Sequence, residues 1–343
     1  MTIQDCGMLL GGDQDLLRKN HEQFLAQPVD LDLSGEVYVP FGEFQRTIST
    51  PVEVRGPGTF FGKATRTIRF EPTDKEGWWV RRSDLPDCLP TEVSIRNVWT
   101  TGEVVSNIVL RSGSPHNYVR MVEHIIALKA GLGIDNLCVV LDSGDPPIFN
   151  RGSLDLVEAL EKACITNTSA RARYVTVKEP VALVAPHGGF LLLAPCPGGP
   201  PRLDLDVAIA FPNAIGQQRI RLPVTYDHFR KGAEARTNTT AAKKIWCQTI
   251  GKIFADVRNL GYTEENVLVA GRHRYVNEPH LLHGDKSLEA AWHRACLDLM
   301  AAVSLIDAGR FVGRITSYKA GHALDVQMIT RLYLNDLLTE YEG

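Results

Sequence analysis

The stretch "RMVEHIIALKAGLGIDN", Arg120 to Asn136, sets a carboxylate and an imidazole side by side, Glu123 and His124, in a run that is otherwise mostly apolar. Two titratable groups in an apolar run need a partner or a task. For the pair taken alone the plainer reading, a hydrogen-bonded core histidine beside a solvated glutamate, is favoured, and the rest of the chain has to decide. Other chemistry-bearing stretches are weaker. His273, His280 and His283 in "GRHRYVNEPHLLHGD" have a spacing that matches no ligand pattern and read as a surface loop. "RGPGTFFGK" lacks the lysine-hydroxyl ending of a phosphate loop and reads as a turn between strands. No GxSxG or Cys-His signature stands out.

An element must hold Glu123 and His124. Read as a helix, Val119, Val122, Ile126 and Leu128 to Ala130 supply an apolar stripe, and Gly131 and Gly133 supply the stop. The two titratable side chains then lie about 100° apart, next to that stripe. Before it, from Gln45, come short β-like segments: "VEVR", "ATRTIRF", "WWVRR", "TEVSIRNVW" and "EVVSNIVL". After it come a strand "NLCVVLDS", a loop and a helix "LDLVEALEKA". A second cycle opens near Arg173 with strands "RYVTVKEPVALVA", "FLLLAP", "LDVAIAF" and "QQRIRLPVTY", then helices at about 240–258 and 287–307, with strands between and after. Strands then helices, twice, predict an α+β fold of two similar sheet-plus-helix sandwiches, 44–170 and 171–343, with the site in the cleft between them. Residues 1–43 read as an N-terminal extension with one short helix at Leu16 to Ala26.

The whole chain narrows the classes. At 343 residues, with 44% hydrophobic and 22% charged side chains, the composition is that of an ordinary globular protein of about two domains. A net charge of −3 and no basic block interleaved with aromatics argue against nucleic acid. Seven scattered cysteines, never in CxxC spacing, argue against disulfides and thiolate zinc and for a reducing cytoplasm. No apolar run reaches the length of a membrane span, and no secretory signal is read at the start.

"FQRTI", "GPGTFFGK", "MVEHIIALKAGLGIDN", "PPIFNRGSLDLVEAL", "AFPNAIGQQ", "EARTNT" and "SYKAGHAL" follow one another between Gln45 and about Leu332. In that order they resemble the motifs of the zinc-dependent UDP-3-O-acyl-N-acetylglucosamine deacetylases of lipid A synthesis; residues 1–43 lie outside the resemblance. It implies hydrolysis of an acetamide on an acylated UDP-sugar, a small-molecule substrate, with a zinc ion activating water. By position Glu123 matches the family's base, His124 and His293 two zinc ligands, Thr237 a hydroxyl for the tetrahedral intermediate, His322 the acid for the leaving amine, and Lys319 a substrate-binding lysine. Singly each has a plainer reading: His293 a half-buried histidine, His322 a turn residue, Lys319 a solvated charge, Thr237 a helix cap.

The departures matter as much. The family's third ligand is an aspartate four residues after the second histidine; here that position is Leu297, and Asp298 at five residues is about 140° away on a regular helix. A one-residue π-bulge between His293 and Asp298 would repair the geometry, and Asp298 is the expected third ligand, with Glu289 in reserve. Where the family has a further aspartate supporting the catalytic histidine, the chain has Ala301 or Ala302, and Arg294 replaces a lysine. Two functions follow from the resemblance: a zinc amidohydrolase, or a catalytically weakened paralogue that binds a sugar nucleotide or acyl-sugar without efficient turnover.

Overall fold

In the computed structural model, which describes residues 7–60, 62–101, 107–240 and 261–343, two β-sheets enclose a layer of helices. The α-helices of the described residues are α1 (Gln14–Ala26), α2 (Glu123–Leu132), α3 (Leu154–Lys162), α4 (Tyr226–Gly232), α5 (Glu289–His293), α6 (Met300–Ser304) and α7 (His322–Leu334). A π-turn, Arg294–Leu299, joins α5 to α6. The helix expected at about 240–258 falls outside the described residues.

The first sheet has five strands, in spatial order Val52–Pro57, Thr65–Glu71, Leu137–Leu141, Trp78–Arg82 and Thr91–Glu92. Its edge strand alternates half-buried Val52 and Val54 with exposed Glu53 and Arg55, the period-2 pattern of a sheet with one covered face. The second sheet has seven strands: Met8–Leu9, Val181–Val184, Phe190–Ala194, Gly313–Tyr318, Leu203–Ala210, Gln217–Pro223 and Leu31–Asp32. Helix α2 of the first half packs on α6 and the π-turn of the second, so one apolar core runs through both halves. This is the two-layered α+β architecture that the alternation of strands and helices predicts.

Three local differences from the sequence reading bear on the site. Val119 belongs to a strand, Tyr118–Arg120, paired with Ile108–Arg111, so α2 starts later, with Glu123 as its first residue. Its stop is Gly133, in the left-handed conformation at φ 62°. The segment after "SYKAG", expected as strand, is mostly α7, whose first residue is His322. Both helices are entered through a non-glycine residue of positive φ, Met121 at 54° and Lys319 at 48°. Such backbone is costly and persists where its surroundings impose it.

Residues 7–33 join the second sheet. They contribute both edge strands of the second sheet, pairing parallel with Val181–Val184 on one side and with Gln217–Pro223 on the other. Between them α1 crosses the outer face. Asp13 caps it by accepting from the Leu16 N–H at 2.7 Å, and Leu17, Asn20, His21 and Phe24 form its buried stripe.

Candidate active site

The first residue of α2, the last of α5, the first of α7 and the first of the strand Thr237–Thr240 meet at the junction of the two halves. The His124 and His293 imidazoles face each other with their Nε2 atoms 3.3 Å apart, and Thr237 Oγ1 lies 3.1 Å from the first and 3.3 Å from the second. Two nitrogens on tetrahedral zinc, each with a bond of about 2.0–2.1 Å, stand roughly 3.3–3.4 Å apart. The donor atoms of His124 and His293 therefore fit the edge of such a centre. His124 is kept neutral, its pKa lowered to about 3 by burial and by the neighbouring His293. A cavity whose lining includes Met121, Ile125, Phe149 and Leu156 abuts His124 and Thr237.

Glu123 is 2% exposed, and its Oε2 accepts a hydrogen bond from the Ile108 N–H at 3.0 Å. Burial raises its pKa, while the His322 charge and that hydrogen bond pull it back. A carboxyl tuned upward is what a general base needs. Ser153 on the turn before α3 donates to the His124 carbonyl at 3.0 Å and ties α2 to the first half.

The expected π-distortion is present and brings Asp298 to His293, yet not onto the side that faces His124. Asp298 Oδ1 lies 3.2 Å from His293 Nδ1 and 3.4 Å from His322 Nε2. Among the described residues no group of three or more His, Cys, Asp or Glu side chains is arranged to hold a metal. The π-turn advances the chain far enough to present the Asp298 carboxylate to the Nδ1 edge of the His293 ring. Burial would raise the Asp298 pKa, but His293, His322 and Arg294 together bring it far below the usual range. Glu289, the reserve candidate, is fully buried in an ion pair with Arg236 at 2.8 Å and accepts the His280 N–H at 2.6 Å.

The sequence reading missed the support behind this cluster. Arg294 forms a two-pronged ion pair with Asp325, 2.5 Å on each arm, donates to Ser317 Oγ at 3.2 Å and lies 3.6 Å from Asp298. Asp325 sits three residues after His322 on the same face of α7, a spacing that would have found it had the segment been read as helix. Among the described residues, Asp298 Oδ1 and His322 Nδ1 are buried polar atoms of the site with no hydrogen-bond partner. Lys319 stands apart. Its ammonium lies 4.7 Å from the centroid of the Tyr318 ring and, among the described residues, makes no ion pair or hydrogen bond with the cluster. His273, His280 and His283 are exposed, as a surface loop requires. A second cavity, at the far end of α2 around Lys129, contains none of these groups; Lys129 there donates to the Ser304 and Ile306 carbonyls.

Comparison with known proteins agrees with the motif order. The family model described as UDP-3-O-acyl N-acetylglycosamine deacetylase matches residues 45–334. Proteins named UDP-3-O-acyl-N-acetylglucosamine deacetylase from Brucella ovis, Brucella canis and Brucella suis are 26% identical over 301 residues, covering 87% of this chain and 98% of theirs. The chain belongs to the UDP-3-O-acyl N-acetylglycosamine deacetylase family, as a divergent member.

Proposed function

We propose that this chain is a zinc-dependent amidohydrolase that removes the N-acetyl group from an acylated UDP-N-acetylglucosamine-like sugar. The observation that carries this reading is the triangle of His124 Nε2, His293 Nε2 and Thr237 Oγ1 beside a buried Glu123. His124 and His293 would hold the zinc through these nitrogens. Zinc, when bound, lowers the pKa of water and polarises a carbonyl.

The chain's own groups do the rest. Glu123 accepts the proton of the attacking water, and the low-dielectric pocket that raises its pKa keeps the proton there. The Thr237 hydroxyl donates to the oxyanion of the tetrahedral intermediate. His322 hands a proton to the departing amine. Asp298, against both His293 and His322, orients the two rings, and the Arg294–Asp325 pair fixes Asp298 and the start of α7. Lys319 binds an anionic part of the substrate. In this reading the units are 44–170 and 171–343, with residues 1–43 serving the second. The reaction is cytoplasmic, in keeping with the five free cysteines among the described residues. Among those residues no helix is long and apolar enough to cross a membrane.

A second reading, a paralogue that binds its ligand without efficient turnover, draws on the place of Asp298, at Nδ1 of His293 and not beside the two Nε2 atoms. Acetate release from a UDP-3-O-acyl-N-acetylglucosamine by the purified protein separates the two. Turnover that a chelator stops and zinc restores supports the hydrolase. Saturable binding of the same compound with no acetate supports the binder.

A further inference from the structure

The strap formed by residues 7–33 lies outside the span that the family model matches, which begins at residue 45. Its contacts converge on one backbone position. Leu17 and Phe24 of α1 pack with Phe190 and Tyr318 on the outer face of the second sheet, and Phe24 meets the Tyr318 ring edge-on at 5.9 Å. Gln23 accepts from the Tyr318 hydroxyl at 3.4 Å. Asn20 rests on the turn between the strands Val181–Val184 and Phe190–Ala194: a Cβ at Gly188, φ 88°, would stand 2.6 Å from the Asn20 amide. The same turn touches the residue after Tyr318. His187 Nε2 is 3.0 Å from the Lys319 carbonyl oxygen, and a Cβ on Gly189 would be 2.4 Å from that oxygen. The Lys319 N–H donates to the Ala208 carbonyl at 3.0 Å, completing the hold on a residue at φ 48°.

Arg219 fixes the strap itself. Its guanidinium, 2% exposed, donates to the carbonyls of Phe24 and Gln27 at the end of α1, pairs with Asp206, and stacks on the Phe24 ring at 3.8 Å. The path from α1 to Lys319 is thus made of close contacts, one of which needs glycine at a left-handed position.

We propose that the strap is a positioning element of the site: through Phe24 under Tyr318, and through the 186–189 turn with His187, it holds Lys319 in its left-handed conformation so that the ammonium meets the anionic part of the substrate. This rests on the substrate-binding role given to Lys319 above. His187 is an exposed positioning residue whose replacement leaves the core intact, whereas Phe24 is buried.

The test uses the full chain with His187→Ala and, separately, Phe24→Ala, read in two ways. In steady-state deacetylation, KM for the UDP-acyl-sugar should rise about five- to tenfold while kcat stays within about twofold, because a binding group is misplaced and the hydrolytic groups are not. In hydrogen exchange, the peptide spanning 317–323 should exchange faster in both variants and the peptide spanning 123–132 should not. If Phe24→Ala fails to fold, His187→Ala decides. Unchanged KM and unchanged exchange in His187→Ala overturn the proposal, as does a fall in kcat with KM untouched. If the unmodified protein neither binds nor hydrolyses the sugar nucleotide, the deacetylase reading fails, and the exchange result alone upholds or overturns the strap's hold on Lys319.

Discussion

Asp298 shows how one extra residue in a helical turn reassigns a side chain. On a regular helix it would point about 140° from His293; in the π-turn it reaches the back of that imidazole at 3.2 Å and His322 at 3.4 Å. The expectation of a distortion came from the resemblance, which implies a carboxylate sharing an ion with His293, taken together with a five-residue spacing that a regular helix cannot bring to one face. Which side of the ring the carboxylate meets was not legible there, since that depends on the rotation of both side chains and on Arg294 drawing Asp298 toward Asp325. The two roles differ in a measurable way. A carboxylate behind a ligand histidine tunes affinity, so Asp298→Asn should weaken zinc binding by roughly 10–100-fold, whereas His293→Ala should eliminate it. Competition against a chelating dye measures both, and equal losses would make Asp298 a direct ligand. Glu289→Ala should leave zinc affinity alone and instead cost about 3–5 kcal/mol of stability, because Arg236 is then buried without its partner; denaturant unfolding measures that.

At the scale of elements, the positions of Glu123 and His322 as first residues of α2 and α7 explain why strained backbone at Met121 and Lys319 is tolerated there: each turns the chain sharply out of strand into helix. α2 was legible from its apolar stripe and terminal glycines, although the stripe was read one turn too early because Val119 is equally apolar in a strand. The helix α7 carries Leu324, Met328, Ile329 and Leu332 at helical spacing, a signal overlooked because Gly321 and the flanking β-like "RITSY" drew the reading toward strand and turn. α7 is clamped to the first half by Asp307, which accepts from Ser94 Oγ at 2.6 Å and Tyr333 Oη at 2.7 Å and pairs with Arg96 at 3.0 Å. Burial raises the Asp307 pKa, but these hydrogen bonds and the Arg96 charge outweigh it, and the net shift is downward. A carboxyl with a lowered folded pKa stabilises the native state above its unfolded pKa of about 3.9, and that contribution is lost as pH falls through the folded value. Asp307→Asn should therefore cost about 1–3 kcal/mol near neutral pH, and the gap from the unmodified protein should narrow in acid. Urea titrations at the two ends of that range measure it, and a gap independent of pH would contradict the clamp.

For the whole molecule, the two-sandwich plan followed from strands and helices recurring in the same order, and the covering of the second sheet on both faces had its own signal. "VALV" and "FLLLA" are apolar at successive positions: Leu183, Leu191 and Leu193 face the shared core, while Ala182, Val184, Phe190 and Leu192 face α1. The sequence alone did not reveal that residues 7–33 provide this cover, because their two edge strands are only two residues long and carry no periodicity. If the strap is part of the fold, Phe24→Ala should cost about 3–5 kcal/mol, seen as a lower denaturation midpoint for the whole chain; a loss below the error of the titration would make the strap an appendage. The central claim is that groups from both halves form one hydrolytic centre with Glu123 as its base. Acetate release by Glu123→Gln, compared with the unmodified protein at equal zinc content, tests it most directly. The amide keeps the shape of the side chain and its hydrogen bond from Ile108 but cannot take the proton of water. A loss on the order of 10²–10⁴ in rate with zinc still bound is expected, and turnover close to that of the unmodified protein would contradict Glu123 as the base.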